Sequence, residues 1–197
     1  MARSATTGGP GSADARPERN GLAGDRGGQV GVGPVPDWEP IVGAIGAGMN
    51  QAPMLTRFVT ETDIDVVLIA GRYTLLDSSA ADARLPAALD RGVSVLAGGV
   101  FNSGLLAAPV AGATYDYHTA PPALVSRAQR LEEACARFGV PLRAAAARFP
   151  LTHPAVTSVL IGARTAAEIS DAIRLRALDI PAALWDALAT TDQEGRG

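Results

Sequence analysis

The chain contains no lysine: all 17 of its basic side chains are arginine. No ammonium side chain is therefore available to acidify a neighbouring proton donor, and the functional reading turns on that absence. Cysteine is nearly absent too. The single Cys135 excludes an intramolecular disulfide framework and fits a reducing compartment. With Leu131, Ala134 and Phe138 around it at helical spacing, Cys135 reads as a packed core position rather than a nucleophile. No apolar run reaches the roughly 18 residues needed to span a bilayer, and the N-terminus lacks the apolar stretch of a secretory signal. The cytoplasm is the expected compartment. The 17 basic and 20 acidic residues leave a formal charge of -3, which gives no electrostatic reason to expect nucleic acid or an anionic membrane as partner. A small molecule is the expected ligand. The two histidines, His118 and His153, stand too far apart to give a metal-site spacing.

What is present is a chain of 197 residues with 47% hydrophobic content, enough for one core. It is short for a complete eight-unit α/β barrel, which takes about 250 residues. Residues 1–35 form a tail: as far as Gly33 it is rich in Gly, Ala, Arg, Pro and Ser, with almost no large apolar side chains to offset the entropy of ordering it. It reads as a disordered leader. Asp14, Glu18 and Asp25 argue against a transit peptide. A genetic reading of the same composition is GC-rich DNA translated out of frame.

Residues 36–197 alternate apolar runs with helical patterns, the signature of β-α units building a parallel sheet. Ile41–Ala47 reads as a strand, followed by a helix from Gln51 with Met54, Leu55, Phe58 and Val59 on one face. Ile64–Ala70 is β-branched and almost uniformly apolar, as for a strand covered on both faces, and Ala83–Asp90 returns as a helix before Gly92. Val93–Ala97 is a third strand. After a long loop, Pro121–Phe138 places Leu124, Ala128, Leu131, Cys135 and Phe138 on one stripe. A further helix over Leu142–Arg148 leads to a fourth strand at Val156–Ile161. Thr165 and Glu168 make a T-x-x-E capping box for the next helix, and a last helix follows Pro181. Ile180, Leu184, Trp185 and Leu188 repeat at helical spacing, so Trp185 is expected to pack rather than stack on a ligand. Four units make half a barrel, with two sheet edges and an apolar inner surface open to pairing with another chain.

The turn Ile161-Gly162-Ala163-Arg164-Thr165 joins a strand to a capped helix. Its backbone N–H groups, the helix dipole and a guanidinium suit a phosphate. Taken alone, the same residues could simply cap a helix and face solvent.

Three longer pieces carry a resemblance: Ile45-Gly46-Ala47-Gly48-Met49-Asn50-Gln51, Ala70-Gly71-Arg72-Tyr73-Thr74-Leu75-Leu76-Asp77, and Ala97-Gly98-Gly99-Val100-Phe101-Asn102-Ser103-Gly104-Leu105-Leu106. Gly112-Ala113-Thr114-Tyr115-Asp116-Tyr117 and Gly162-Ala163-Arg164-Thr165 follow in the same order. Over Ile41–Leu188 the chain resembles the C-terminal half of the aldo/keto reductases, more narrowly the D-threo-aldose 1-dehydrogenase (L-fucose dehydrogenase) branch. The resemblance implies a (β/α)8 fold that binds NAD or NADP across the carboxyl ends of its strands and moves hydride between alcohol and carbonyl. By motif position it implies Asn50 and Gln51 at the nicotinamide amide, Tyr73 at the nicotinamide end, and Val100, Phe101, Asn102, Ser103, Gly104 and Leu105 along the pyrophosphate. Gly162, Ala163, Arg164 and Thr165, with Glu168 nearby, would meet the adenosine ribose or its 2′-phosphate. The sequence departs from the wider family at Gly98, where many members carry an aromatic ring, and at Ala172, where many carry an asparagine.

The family's chemistry uses a tyrosine acidified by lysine, with an aspartate and usually a histidine, all from the first half of the barrel. Without lysine that tetrad cannot be assembled within this chain. Tyr117 and His118 form a loop pair better suited to a lid than to a substitute acid, and His153 is expected to be satisfied by backbone or water. The leading expectation is thus an NAD(P)-dependent aldose or small-carbonyl oxidoreductase, truncated, separately encoded or frameshifted, whose chain alone is inactive. The alternatives are a non-catalytic dinucleotide-binding or self-associating half-barrel module, and another phosphate-handling α/β barrel.

Overall fold

The computed structural model describes residues 42–194. The expected tail at residues 1–35 lies outside them. In chain order the first elements are β1 (Gly46–Met49), α1 (Ala52–Glu61), β2 (Val66–Ala70), α2 (Arg84–Asp90) and β3 (Ser94–Gly98). A two-stranded hairpin follows, β4 (Thr114–Tyr115) and β5 (His118–Thr119), and then α3 (Pro122–Ala136), α4 (Leu142–Arg148), β6 (Val156–Leu160), α5 (Ala166–Arg176) and α6 (Ala182–Glu194). The main sheet is wholly parallel in the order β1-β2-β3-β6, with Gly46 opposite Val66, Val66 opposite Ser94, and Val95 opposite Val156. Four β-α units in sequence order are half of what closes a (β/α)8 barrel.

Burial alternates along the central strands because successive side chains point to opposite faces. Val67, Ile69, Val95 and Ala97 are buried against Leu55 and Val59 of α1 and Leu85 and Ala88 of α2, forming the core under the sheet. Their neighbours Val66, Leu68, Ala70, Ser94 and Leu96 are only half-buried. The uniformly apolar β2 is therefore fully covered on one face and partly on the other, where coverage of both was expected. A second core joins α3, α4 and α6 to Leu75, Leu76, Leu105 and Leu106.

The first strand's boundary shifts for an identifiable reason. The first strand runs over Gly46–Met49 rather than Ile41–Ala47, because pairing starts only where β2 offers a partner. Ile45 marks the limit: its N–H donates to the Asp65 carboxylate at 2.9 Å, its carbonyl accepts from the Asp65 and Val66 amides, and its side chain is exposed. On α1, Leu55 and Val59 are buried as expected, but Met54 is exposed. The β4–β5 hairpin was hidden inside the expected long loop because two residues per strand show no period.

Both margins of the sheet are unpaired among the described residues, and large apolar side chains gather there: Ile45 by β1, and Leu160, Ile169 and Ile173 by β6 and α5. The α3 stripe is as expected. Ala128, Leu131 and Cys135 are fully buried, with Leu124 and Phe138 at the margin. Burial pushes the Cys135 thiol up to about 11. A thiol reagent at pH 8 should therefore leave the folded chain unmodified and titrate one group once denaturant unfolds it. Stoichiometric labelling under native conditions would contradict the packed position.

Candidate functional site

The carboxyl ends of the four parallel strands converge on a trough of about 260 Å³. β1 delivers Asn50, β2 delivers Ala70 and Gly71, β3 delivers the run Gly99 to Gly104, and β6 delivers Leu160, Ile161 and Gly162. Asp116 and Tyr117, at the tip of the hairpin, form the rim.

The floor is built from backbone. Gly99 has φ +63°, and a Cβ on it would lie 3.0 Å from the Gly71 nitrogen, so the loops after β2 and β3 touch only because no side chain stands there. Asn102 and Ser103 follow with φ of 46° and 57°. Asparagine tolerates this region because its short side chain bonds locally, and Asn102 Nδ2 donates to the Gly71 carbonyl at 3.3 Å. Its Oδ1 is buried and meets no donor among the described residues. The same run leaves the N–H groups of Val100, Phe101 and Ser103 without an acceptor among the described residues. Amides left unbonded along a turn of this kind can form a concavity suited to an anion.

The rim is tied down by polar contacts. Thr114 Oγ1 donates to the Ser103 carbonyl at 2.6 Å, and the Tyr117 N–H donates to Ser103 Oγ at 3.2 Å. Arg72, the residue after Gly71, donates to Asp77 Oδ2 at 3.1 Å and to Asp116 Oδ2 at 2.8 Å. Burial opposes ionisation of Asp77, but hydrogen bonds from Ser79 and the Arg72 guanidinium outweigh it and hold the carboxyl below its ordinary value. Stabilisation from this group is complete above the ordinary aspartate value of 3.8 and is lost as pH falls through the lower folded value. Asp77→Asn should therefore lower the melting temperature at pH 7 and flatten its decline below about pH 4. Parallel acid limbs for the two proteins would show that Asp77 carries no such linkage.

The trough brings together Asn50, Val100, Phe101, Asn102, Ser103, Gly104 and Gly162 from the residues singled out in the sequence. The others lie elsewhere. Gln51 is exposed at the start of α1 and makes no side-chain cap bond. Tyr73 is buried outside the trough, its ring 5.1 Å from Phe149 and edge-on to His153 at 6.0 Å, and burial raises its phenol pKa. Leu105 is fully buried in the second core. Ala163 lines a separate cavity between α4, β6 and α5.

Arg164, Thr165 and Glu168 form the cap of α5. Thr165 Oγ1 accepts from the Glu168 N–H at 3.2 Å, as the capping box requires. The returning carboxylate takes the Arg164 N–H at 2.7 Å, and its other oxygen meets the Arg164 guanidinium at 3.3 Å. The Arg164 backbone bond first, then the guanidinium charge, keeps Glu168 below its usual range. Arg164 itself remains 90% exposed and thus open to a ligand.

Sequence reasoning passed over Arg72, Asp77 and Asp116 as site-builders, although each lay within a quoted motif. The available signal was the Y-D-Y-H run, whose Asp116 and Tyr117 both take positive φ in a tight turn. His153 is satisfied as expected, its Nδ1 accepting from the Ala155 N–H at 3.2 Å. Trp185 packs on Phe149 at 6.4 Å and also lines a cavity of about 500 Å³ between α3, α6 and the segment after β2. That cavity is mostly apolar, and its one guanidinium, Arg127, donates to the Leu76 and Leu75 carbonyls. The smaller trough is where the ends of all four parallel strands meet.

The profile of the aldo/keto reductase family matches residues 41–192. The chain belongs to the aldo/keto reductase family. Two curated relatives match equally well, at 42% identity: a D-threo-aldose 1-dehydrogenase of a Pseudomonas species, over 77% of this chain and 46% of the relative, and a pyridoxal 4-dehydrogenase of Microbacterium luteolum, over 73% and 42%. The family is shown, and the branch within it is shared between these two. An aldo-keto reductase of Bacillus halodurans superposes with a TM-score of 0.58 in both its apo and holo forms, at 20% identity and over 49% of its length. This likeness shows the fold. The chain spans about half the length of the relatives it matches. No helix among the described residues is long and apolar enough to cross a membrane.

Proposed function

We propose that this chain is the cofactor-holding half of an NAD(P)-dependent oxidoreductase acting on an aldose or another small carbonyl or alcohol. The observation that carries the reading is the backbone floor at Val100, Phe101 and Ser103, residues that line a trough at the strand ends and whose N–H groups donate none of the turn and loop backbone bonds among the described residues. These amides suit a pyrophosphate, and the orphaned Asn102 Oδ1 suits a donor such as a ribose hydroxyl or a carboxamide N–H. Asn50 and Gly162 would border the bound dinucleotide on either side. Gln51, Arg164, Thr165 and Glu168 stand outside the trough, where an extended ligand would pass. Tyr73 and Leu105 enter this reading as packing beneath it.

When bound, the nicotinamide would supply or accept hydride. The chain's own residues would bind it and orient it. The proton donor is a separate matter: burial first shifts the phenols of Tyr73 and Tyr115 upward, and the chain has no lysine to lower either. The family's lysine-dependent proton-donor set would therefore come from residues outside this sequence, such as a complementing set of β-α units. The substrate class stays broad because one relative is named for an aldose and the other for pyridoxal. A non-catalytic dinucleotide-binding module, self-associated through its open margins, is the second reading, favoured by the absence of lysine.

Titration of the purified chain with NADPH and NADH, followed by nucleotide fluorescence, tests the central claim. Saturable binding is expected, and thermal protection by sugar phosphates without any response to either nucleotide would defeat it. Arg164→Ala should weaken NADPH about tenfold or more while leaving NADH nearly unchanged, because a charge-assisted contact to a 2′-phosphate exists only in the former. Equal losses for both nucleotides would remove Arg164 from the phosphate.

A further inference from the structure

The β4–β5 hairpin should not hold itself together. Each strand is two residues long, far below what sustains an isolated hairpin, and its turn places a tyrosine at φ 65°. Its order must be imposed from outside. Contacts outside it do so: Ser103 on the trough floor, the guanidinium of Arg72, and the second core, against which Ala113 and Tyr115 pack and in which Ala120 is buried.

Arg72 contacts three segments, two of them distant in sequence and one five residues along its own loop. Besides Asp116 on the hairpin and Asp77 in the loop after β2, its Nε donates weakly to the Asn50 carbonyl at the end of β1, at 3.4 Å. Asp77 in turn lies 3.5 Å from the Tyr115 hydroxyl, so it braces the hairpin a second time. A planar fork with five donors can make these contacts at once, and a single ammonium cannot. The electrostatics point the same way. Asp116 lines a trough read as a phosphate site, where a bare carboxylate would repel the ligand. The Arg72 side chain is only 22% exposed, so its pairing with Asp116 is less screened than a surface pair.

We propose that Arg72 is the positioning residue of this site: it clasps the β4–β5 hairpin to the ends of β1 and β2, holds Tyr117 at the rim, and cancels the Asp116 charge facing the ligand. The ligand half of this claim rests on the dinucleotide reading above. The clasp itself does not.

The experiment uses the full chain as wild type, Arg72→Met, Arg72→Lys, Asp116→Asn and the Arg72→Met/Asp116→Asn pair. Hydrogen–deuterium exchange without nucleotide reads the hairpin amides at residues 113–120 against those of β2 and β3. Arg72→Met and Asp116→Asn should each speed hairpin exchange about tenfold, the pair no more than either alone, and β2 and β3 should stay protected. Arg72→Lys should recover part of the protection. NADPH titration should show binding weakened about tenfold in Arg72→Met and partly restored in the pair, where no bare carboxylate remains. Hairpin exchange at the wild-type level in either single variant overturns the clasp. A loosened hairpin with unchanged NADPH affinity overturns the positioning role. If Arg72→Met unfolds throughout, Arg72→Lys and Asp116→Asn decide by the same criteria. If the wild type binds no NADPH while hairpin exchange responds as described, the clasp stands and the dinucleotide reading falls.

Discussion

Gly99→Val is expected to destabilise the chain by about 3 kcal/mol and to abolish nucleotide binding. Gly99 sits at φ +63°, a conformation that a β-branched residue adopts only under strain. Its missing side chain is also what lets the loop after β3 meet the loop after β2, because a Cβ would stand 3.0 Å from the Gly71 nitrogen, a backbone atom with no rotamer to move to. Any displacement there carries the Val100, Phe101 and Ser103 amides with it. Gly92→Ala separates the two effects: Gly92 has φ +65° but no atom within 4 Å of its would-be Cβ, so it should lose only about 1 kcal/mol. Comparing denaturant midpoints and NADPH titrations of the two variants checks the assignment. Equal destabilisation would mean that backbone conformation alone matters and the inter-loop contact does not.

The second large effect is an absence of turnover. Purified alone and supplied with NAD or NADP and either a D-threo-aldose or pyridoxal, the chain should be at least about a hundredfold slower than a complete family member, the usual loss when a positioned general acid is missing. The physical ground is that 17 arginines and no lysine leave no side-chain ammonium to depress a phenol pKa. Tyr117, at the hairpin tip, is 90% exposed, and the neighbouring guanidinium of Arg72 is already engaged by two carboxylates. Turnover that scales with the concentration of a homogeneous preparation would refute this.

The fold was legible wherever periodicity runs long enough to be read. The α3 stripe, the β-branched run of β2 and the T-x-x-E cap of α5 each carry their own signal, and each lies where it was expected. The first strand slipped because the run from Ile41 says that a segment is apolar, whereas a strand begins where a neighbour supplies hydrogen bonds, here at Val66. The site was half legible. The glycine-rich piece after β3 marked the floor, but motif position could not show that Tyr73 packs beneath the trough on Phe149, or that Leu105 belongs to the second core. Arg72 was invisible as a site-builder because its partners, Asp77 and Asp116, are joined to it by loops that no period encodes. Glu168 was legible as a cap residue, but its contact to the Arg164 amide lies one residue before the position a capping box assigns.

Leu160 belongs to two surfaces at once. It ends the outermost strand, where one side of its backbone pairs with no described neighbour, and it also borders the trough. Anything that lengthens the sheet beyond β6 would therefore stand beside the trough, and, on the dinucleotide reading, pairing and nucleotide binding would be linked equilibria. Apparent nucleotide affinity would then be a property of how much protein is in the tube, and a value taken at one dilution would not carry over to another.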